Sequence, residues 1–356
     1  MDKAILWIVA VGALIGALDR ITGNHLKLGE QFDEGLKAMG TLALGMVGIV
    51  CLAPVFARLA GPVLTPVFGI FGADPAMIGS FIANDMGGYQ LSMELAKTHE
   101  AGLYSGTMVA SMLGCTLAFS VPVGFSVIEK EDRPYYSRGL LIGLIAIPFG
   151  SLVGGFAAGF GTAALIKNTL PVLVAALLLA AGLKWIPEKM IKGSMVFGKI
   201  VTVCGYAGIS CAAFEHITGV TIIPGMTDIM VGMNSVAEIA IVLIGMLPIL
   251  TLLMKLLNKP LDRLGRRLGL DAVTAAGIII SLANSVPVFT MMKDMKKRGI
   301  ILNTAWLVTA TAVFGDHLGF TAAVEPTMIT PVIVAKLTAG CIALVLAFVL
   351  TKNMQE

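Results

Sequence analysis

The sequence predicts an all-α polytopic membrane protein, and three observations lead to this fold class. Hydrophobic residues make up 57% of the 356 residues and charged residues 13%, whereas soluble domains carry about 25% charged residues. Apolar runs close to the roughly 20 residues that cross a bilayer recur along the chain. The two halves also share short motifs in the same order, as duplicated membrane folds do. We therefore expect one domain over residues 1–356, with about 9 to 11 transmembrane segments.

Each predicted element is an apolar run bounded by charged residues, glycine or proline. In chain order the runs cover residues 4–18, 38–57, 75–93, 102–128, 140–162, 169–186, 194–217, 236–257, 271–290, 300–324 and 329–350. Two of them are interrupted, by "NDMGG" at 84–88 and by "NSVP" at 284–287. Pro287 in the second interruption removes a backbone donor and breaks a helix. We predict broken helices at both interruptions. Asp33 and Glu34 are expected in a loop.

Paired motifs predict an internal duplication. The pairs, in order, are "DRITG" at 19–23 with "EHITG" at 215–219, "GM" at 45–46 with "GM" at 245–246, and "AN" at 83–84 with "AN" at 283–284. Repeat one then spans 4–162, a linking helix spans 169–186, and repeat two spans 194–350. The glycine patterns Gly12-x3-Gly16 and Gly155-x3-Gly159 favour close helix packing.

The basic residues predict the topology. If every span crossed, the basic stretches at 255–267 and 293–298 would face opposite sides, against the positive-inside rule. If each interrupted segment instead enters and leaves the membrane on the side from which it came, most basic residues become cytoplasmic. The N-terminus is then outside and the C-terminus inside. The repeats are then inverted, and two re-entrant hairpins approach the midplane from opposite faces. Kinked crossing helices are the alternative.

Composition also limits the other classes of protein. The net charge is +3 and the basic residues lie between apolar runs, which indicates membrane orientation rather than a nucleic-acid partner. The five cysteines lie in apolar segments without paired spacing, so we expect no disulfide, metal or cofactor site. The run at 1–18 resembles a signal peptide, but its counterpart in the second half favours a transmembrane helix.

Polar residues inside the predicted spans are the candidate binding residues. A carboxylate at membrane depth costs several kcal/mol unless it is paired or hydrated, so Asp85 predicts a cationic substrate or a coupling ion. Glycines allow close backbone approach, while amides, hydroxyls and an aromatic face supply hydrogen bonds or a cation contact. The candidate substrate-binding residues are Asn84, Asp85, Gly87, Gly88, Tyr89, Gln90, Asn284, Ser285 and Asp316.

Asp316 and its neighbour His317 form a second intramembrane pair, either a proton relay or a cation ligand. For Glu238 and Glu325 we expect solvated or capping roles. The chain has no Walker A loop, no His-Glu-x-x-His and no Gly-x-Ser-x-Gly motif, so we do not expect an enzyme.

Four stretches resemble the EutH-type ethanolamine permease family, closely in the first half and more loosely in the second. They are "FDEGLKAMGTLALGMVGIVCLAPV" (32–55), "GADPAMIGSFIANDMGGYQLSMELA" (72–96), "LYSGTMVASMLGCTLAFSVPV" (103–123) and "DRPYYSRGLLIGLIAIPFGSLVGG" (132–155). The resemblance implies uptake of ethanolamine across the bacterial inner membrane for catabolism. The family pattern has a cysteine where this chain has Asn84.

A carrier for ethanolamine is physically reasonable. A primary alkylamine has a pKa of about 10, so on the order of 0.1 to 1% is uncharged at pH 7. The ammonium form does not cross lipid, and Asp85 would pair with it. Alternatives left open are a cation-coupled carrier of another small polar solute, such as an organic anion, and a membrane scaffold. The expected partners are ethanolamine, the lipid bilayer and, as an open alternative, a second copy of the chain.

Overall fold

The computed structural model describes residues 2–82, 86–267, 270–352 and 354, and every regular element among them is helical. The α-helices are α1 (Asp2–Ile21), α2 (Leu28–Leu42), α3 (Gly48–Gly69), α4 (Gly79–Ile82), α5 (Gly87–Leu95), α6 (His99–Leu103), α7 (Val121–Val127), α8 (Arg133–Ala157), α9 (Thr162–Trp185), α10 (Pro187–Thr218), α11 (Ile229–Arg267), α12 (Ala272–Ile280), α13 (Val286–Met291), α14 (Lys297–Ala310), α15 (Asp316–Val324) and α16 (Ile329–Leu350). Short π-helical segments (Ala43–Val47, Tyr104–Gly114, Thr116–Ser120) and 3-10 segments (Pro75–Ile78, Met292–Asp294, Pro326–Met328) continue several of them.

Eight helical stretches in the described residues are long and apolar enough to cross a bilayer, which confirms an all-α multi-pass membrane protein. One stretch, Leu28–Gly69, has 42 residues, because α2 starts earlier than predicted. The buried Asp19 carboxylate accepts hydrogen bonds from the N–H groups of Leu28 and Gly29 at the start of α2. The predicted loop for Asp33 and Glu34 is therefore wrong.

The first interrupted segment is a helical hairpin, defined here as hairpin one (residues 75–95). Its ends meet, since the Asp74 carboxylate accepts hydrogen bonds from the N–H groups of Lys97 and Thr98. Its two arms touch, since a Cβ added at Gly79 would lie 2.2 Å from Ser92 Oγ. The polypeptide therefore turns back within this segment. Asn84 and Asp85 of the predicted interruption at 84–88 lie outside the described residues.

The second interrupted segment is hairpin two (residues 272–294), with a break at 281–285 between α12 and α13. Asp271 caps α12 by accepting from the Thr274 N–H and hydroxyl. Asn303 of α14 donates its amide to the Thr274 carbonyl at 2.9 Å, and Gly299 lies against the Thr274 hydroxyl. Because α14 starts beside the start of α12, this segment also enters and leaves at one end.

The predicted span at 300–324 is not one continuous helix, because the chain unwinds between α14 and α15. Ala312 adopts a positive φ of 54°, and its N–H donates to the Ser281 carbonyl at 2.8 Å. The Phe314 N–H donates to the Leu282 carbonyl at 2.9 Å. Carbonyl groups in the break of hairpin two thus accept hydrogen bonds from N–H groups that have no helical partner in the α14–α15 break. Irregular backbone is tolerated at membrane depth when its polar groups are satisfied in this way.

Helix crossings depend on glycine. A Cβ at Gly12 of α1 would lie 2.3 Å from the Gly245 carbonyl oxygen of α11, and one at Gly48 of α3 would lie 1.8 Å from the Gly205 carbonyl oxygen of α10. The packing role predicted for Gly12 is confirmed. The packing role predicted for Gly159 is wrong, because it has φ 79° after the end of α8 and no atom lies within 4 Å of an added Cβ.

Contacts near the helix ends show which connections lie at the same end of the bundle. We call one end the basic end; there Lys255 donates to the Leu26 carbonyl and Lys297 donates to the buried Asp132 carboxylate. This hydrogen bond to Asp132 raises the pKa of Lys297 above its ordinary value.

At the opposite end, Asn168 accepts a hydrogen bond from the Asp74 N–H, and Asp2 accepts from the Thr330 N–H and hydroxyl. The base of hairpin one therefore lies at the opposite end and the base of hairpin two at the basic end.

Candidate substrate site

Residues of both hairpins and of the α14–α15 break line one cavity of about 280 Å³. Met86 comes from hairpin one, which places the end of its turn in the cavity wall. The other lining residues are Asn284, Ser285 and Val286 of hairpin two, Thr311, Ala312, Asp316 and His317 of the α14–α15 region, and Thr41, Leu42, Gly45, Met46, Cys115 and Phe119 of the remaining wall. The breaks in regular structure thus face the cavity, where their polar groups are accessible.

Three of the predicted candidate residues line this cavity: Asn284, Ser285 and Asp316. Asn284 Oδ1 accepts a hydrogen bond from the Val286 N–H at 2.9 Å, which fixes the turn of hairpin two. Ser285 is buried with 4% of its surface exposed. Hairpin two therefore presents an amide and a hydroxyl to the cavity.

Hairpin one contributes less to the described wall. Asn84 and Asp85 lie outside the described residues, although Met86 directly after them lines the cavity. Gly87 is the first residue of α5.

Three further candidates of hairpin one lie away from the cavity lining. Gly88 lies against the Gly79 carbonyl, where an added Cβ would meet the oxygen at 3.1 Å. Tyr89 packs edge-on against Phe320 with ring centroids 5.7 Å apart. These two residues and Gln90 do not line the described cavity.

The carboxylate of Asp316 and the imidazole of His317 lie in the first turn of α15. Asp316 Oδ1 accepts a hydrogen bond from the His317 N–H at 3.0 Å. His317 is buried, with 2% exposed surface, while Asp316 is half-buried. The site therefore holds one anionic group among the described lining residues, together with hydroxyl and amide groups that bind polar solutes.

Sequence reasoning missed Lys336 as a site residue. It is fully buried, and its Nζ lies 2.8 Å from the Ser111 carbonyl oxygen and 2.9 Å from His317 Nδ1. A lone lysine in the apolar run 329–350 was the available signal, because an intramembrane charge marks a functional site by default.

The two glutamates considered in the sequence lie elsewhere. Glu238 is exposed on α11. Glu325 precedes the 3-10 segment Pro326–Met328 and accepts a hydrogen bond from the Thr327 hydroxyl at 2.7 Å, but its side chain does not cap a backbone N–H of that segment. The described residues contain no group of three or more His, Cys, Asp or Glu side chains that could hold a metal ion.

The profile of a family described as "Ethanolamine utilisation protein, EutH" matches residues 1–350. The chain is 44% identical over 357 residues to the "Probable ethanolamine permease EutH" of Listeria monocytogenes, an alignment that covers 100% of this chain and 96% of the relative. It is 39% identical to the protein of the same name in Salmonella typhimurium, over 98% of this chain and 95% of that relative. It is 40% identical to "Uncharacterized protein YxeR" of Bacillus subtilis, over 96% and 93%. No solved structure matches.

Proposed function

Because this chain belongs to the EutH family of ethanolamine utilisation proteins, whose members are permeases and not enzymes, we propose that it imports ethanolamine into the bacterial cytoplasm. The observation that carries the proposal is one cavity lined by residues of two hairpins that enter from opposite ends of the bundle. In secondary transporters, broken helices of this kind surround the substrate site.

The cavity suits a protonated amine. Asp316 supplies a carboxylate to the cavity wall, and Asp85, one residue before the lining residue Met86, is the second proposed anionic partner. A cation that pairs with a carboxylate offsets the cost of holding that charge at membrane depth. Since ethanolamine is almost entirely protonated at pH 7, a site of this charge binds its abundant form.

The hydroxyl group of ethanolamine needs a partner of its own, because a buried hydroxyl without a hydrogen bond costs about 1 to 3 kcal/mol. Asn284 and Ser285 line the cavity from hairpin two, so we assign them to this group. Hairpin two then binds the hydroxyl group, and the carboxylates bind the ammonium group. Binding both groups distinguishes an amino alcohol from a simple alkylamine.

Two inverted repeats would explain how the site opens to either side. In support, Gly12 faces Gly245 while Gly208 faces Gly48. Gly12 and Gly208 are separated by the same number of residues as the repeated "DRITG" and "EHITG" motifs. The first helix of each repeat therefore crosses the second helix of the other repeat in the same way.

The hairpins carry a matching pair of contacts. Ser105 donates to the Ala76 carbonyl beside hairpin one, and Asn303 donates to the Thr274 carbonyl beside hairpin two. We propose that repeats 4–162 and 194–350 run in opposite directions, which suits alternating access.

Ethanolamine transport in sealed proteoliposomes tests the function. Vesicles loaded with unlabelled ethanolamine should take up labelled ethanolamine by counterflow faster than protein-free vesicles, which report the leak of the neutral amine. Excess ethylamine, which lacks the hydroxyl, should compete more weakly than ethanolamine. Counterflow of an organic anion but not of ethanolamine would identify the alternative carrier, and the absence of any solute flux would favour a scaffold.

A further inference from the structure

Lys336 is a buried amine that contacts the side chain of His317, a residue of the cavity wall. Its Nζ lies 2.8 Å from the Ser111 carbonyl oxygen and 2.9 Å from His317 Nδ1, and none of its surface is exposed. His317 in turn lines the cavity. The imidazole ring therefore stands between the lysine nitrogen and any bound substrate.

These two contacts fit both protonation states of Lys336. A carbonyl only accepts hydrogen bonds, so Lys336 donates to Ser111 whether it is an ammonium or a neutral amine. The ammonium also donates to His317 Nδ1, which places the ring proton on Nε2. The neutral amine instead accepts from a protonated Nδ1. The surroundings of Lys336 thus keep both hydrogen bonds when the proton leaves.

The imidazole offers a route for that proton. The Nζ–H bond of Lys336 breaks as the Nδ1–H bond of His317 forms, and the Nε2–H bond of His317 breaks as its proton passes to water that fills the cavity and from there to the solvent. Lys336 and His317 are then both neutral, and the site has lost one positive charge. The other titratable groups among the described lining residues are Asp316 of α15 and Cys115, beside the π-helical segment that carries Ser111.

A bound substrate cation would drive this release. An ammonium in the cavity and the ammonium of Lys336 would be like charges on either side of one ring, and such charges repel strongly away from water. The substrate amine lies near the Asp316 carboxylate, which favours its charged form. The imidazole of His317 contacts Lys336 Nζ and lines the cavity, so it gives the lysine proton a route out, and Lys336 is the group that loses its proton.

We propose that the binding of ethanolammonium releases a proton from Lys336 through His317, so that the carrier exchanges one substrate cation for one proton. This inference rests on the proposed function and adds a coupling reaction to it. Import would then be electroneutral, and the membrane potential would not drive it. No sodium ion would be needed, because Lys336 supplies the exchangeable cation.

A potassium diffusion potential across proteoliposomes, negative inside, tests the exchange. Wild-type protein should show no potential-driven accumulation of labelled ethanolamine above protein-free vesicles. Lys336→Gln lacks the exchangeable proton and should carry the substrate charge alone, with accumulation approaching roughly 40-fold at 100 mV. Lys130→Gln, which removes an exposed lysine, is the matched control and should behave as wild type.

Calorimetry on detergent-purified protein gives a second readout that needs no gradient. Ethanolamine binding to wild type should show a heat that differs between buffers of different ionisation enthalpy, as proton release requires. Lys336→Arg, which stays protonated, should bind ethanolamine more weakly and show no such difference. These measurements remain decisive if Lys336→Gln does not fold.

Accumulation by wild type that equals that of Lys336→Gln would overturn the exchange, and so would wild-type binding heats that do not depend on the buffer. Either result combined with normal ethanolamine counterflow would leave the proposed function intact. Absence of counterflow in wild type would overturn the proposed function and this inference together.

Discussion

At the scale of single residues, the aspartates of this protein have two roles, one structural and one in the cavity wall. Asp19, Asp74 and Asp271 accept backbone N–H groups where a helix or hairpin begins, and so replace partners that a helix start lacks. Asp316 instead lines the cavity. Carboxylates of the first kind should affect stability, and those of the second kind should affect substrate affinity.

Asp85→Asn should weaken ethanolamine binding about 10- to 150-fold. The change keeps the shape and removes the charge, and a charge-assisted hydrogen bond contributes about 1.5 to 3 kcal/mol. Calorimetry with the purified variant measures the affinity. Thermal melting should show stability equal to wild type or higher, since the variant no longer bears the cost of the charge that the sequence predicts at membrane depth. Unchanged affinity in a folded variant would move the ammonium site to Asp316.

Asp74→Asn should show the opposite pattern. This carboxylate joins both ends of hairpin one through the N–H groups of Ala76, Lys97 and Thr98. Loss of the charge and of one acceptor oxygen should lower the free energy of unfolding by about 1 to 3 kcal/mol, measured by thermal melting in detergent. Ethanolamine affinity of the folded fraction should stay near wild type; a large loss of affinity without loss of stability would contradict this division of roles.

At the scale of elements, the fold depends on close contact between helix backbones. Glycine allows this contact because no side chain separates the chains. The contacts of Gly12 with Gly245 and of Gly48 with Gly205 lie between helices that are distant in sequence. They fix how helices of the first half cross helices of the second half. They thereby also position the part of the cavity wall formed by Thr41, Leu42, Gly45 and Met46.

Gly48→Ala should destabilise the protein by about 1 to 3 kcal/mol, as overpacking does. The added Cβ would meet the Gly205 carbonyl oxygen at 1.8 Å, and a backbone atom cannot move aside cheaply. Gly40→Ala is the matched control on the same helical stretch, because nothing lies within 4 Å of its Cβ. It should be neutral or stabilising by up to about 1 kcal/mol. Equal melting temperatures for the two variants would refute the crossing.

At the scale of the whole molecule, the charge distribution predicts the orientation. The basic end carries Lys255 and Lys297, and cytoplasmic loops are rich in lysine and arginine. We therefore place this end in the cytoplasm, with the C-terminus inside and the N-terminus outside. Hairpin two then enters from the cytoplasm and hairpin one from the outside.

Cysteine labelling in intact cells tests this orientation. In a background without native cysteines, a cysteine at Lys97 should react with an impermeant reagent, whereas cysteines at Lys296 and Lys352 should react only after the membrane is opened. Reaction of the cysteine at Lys296 together with protection of the cysteine at Lys352 would mean that the base of hairpin two faces the outside of the cell. The inverted arrangement would then be incorrect.

The sequence by itself determined that this protein lies in a membrane, that it is helical and that its second interrupted segment breaks near residue 284, although the break covers 281–285 rather than the predicted 284–287. Composition and the length of apolar runs carry this information, because a bilayer requires long apolar helices. Asn284, Ser285 and Asp316 could be selected for the same reason, since polar side chains inside apolar runs are rare. The family could also be recognised from local stretches around "NDMGG".

Only the tertiary structure decided which of these residues share a cavity. The unwinding at 311–315 carries no proline or charge cluster, and it exists because the Ser281 and Leu282 carbonyls accept its N–H groups. The role of Lys336 likewise depends on Ser111 and His317, which come from two other helices. A pattern along one chain segment reports whether that segment can enter a membrane, but hydrogen-bond partners distant in sequence are set by how the helices pack.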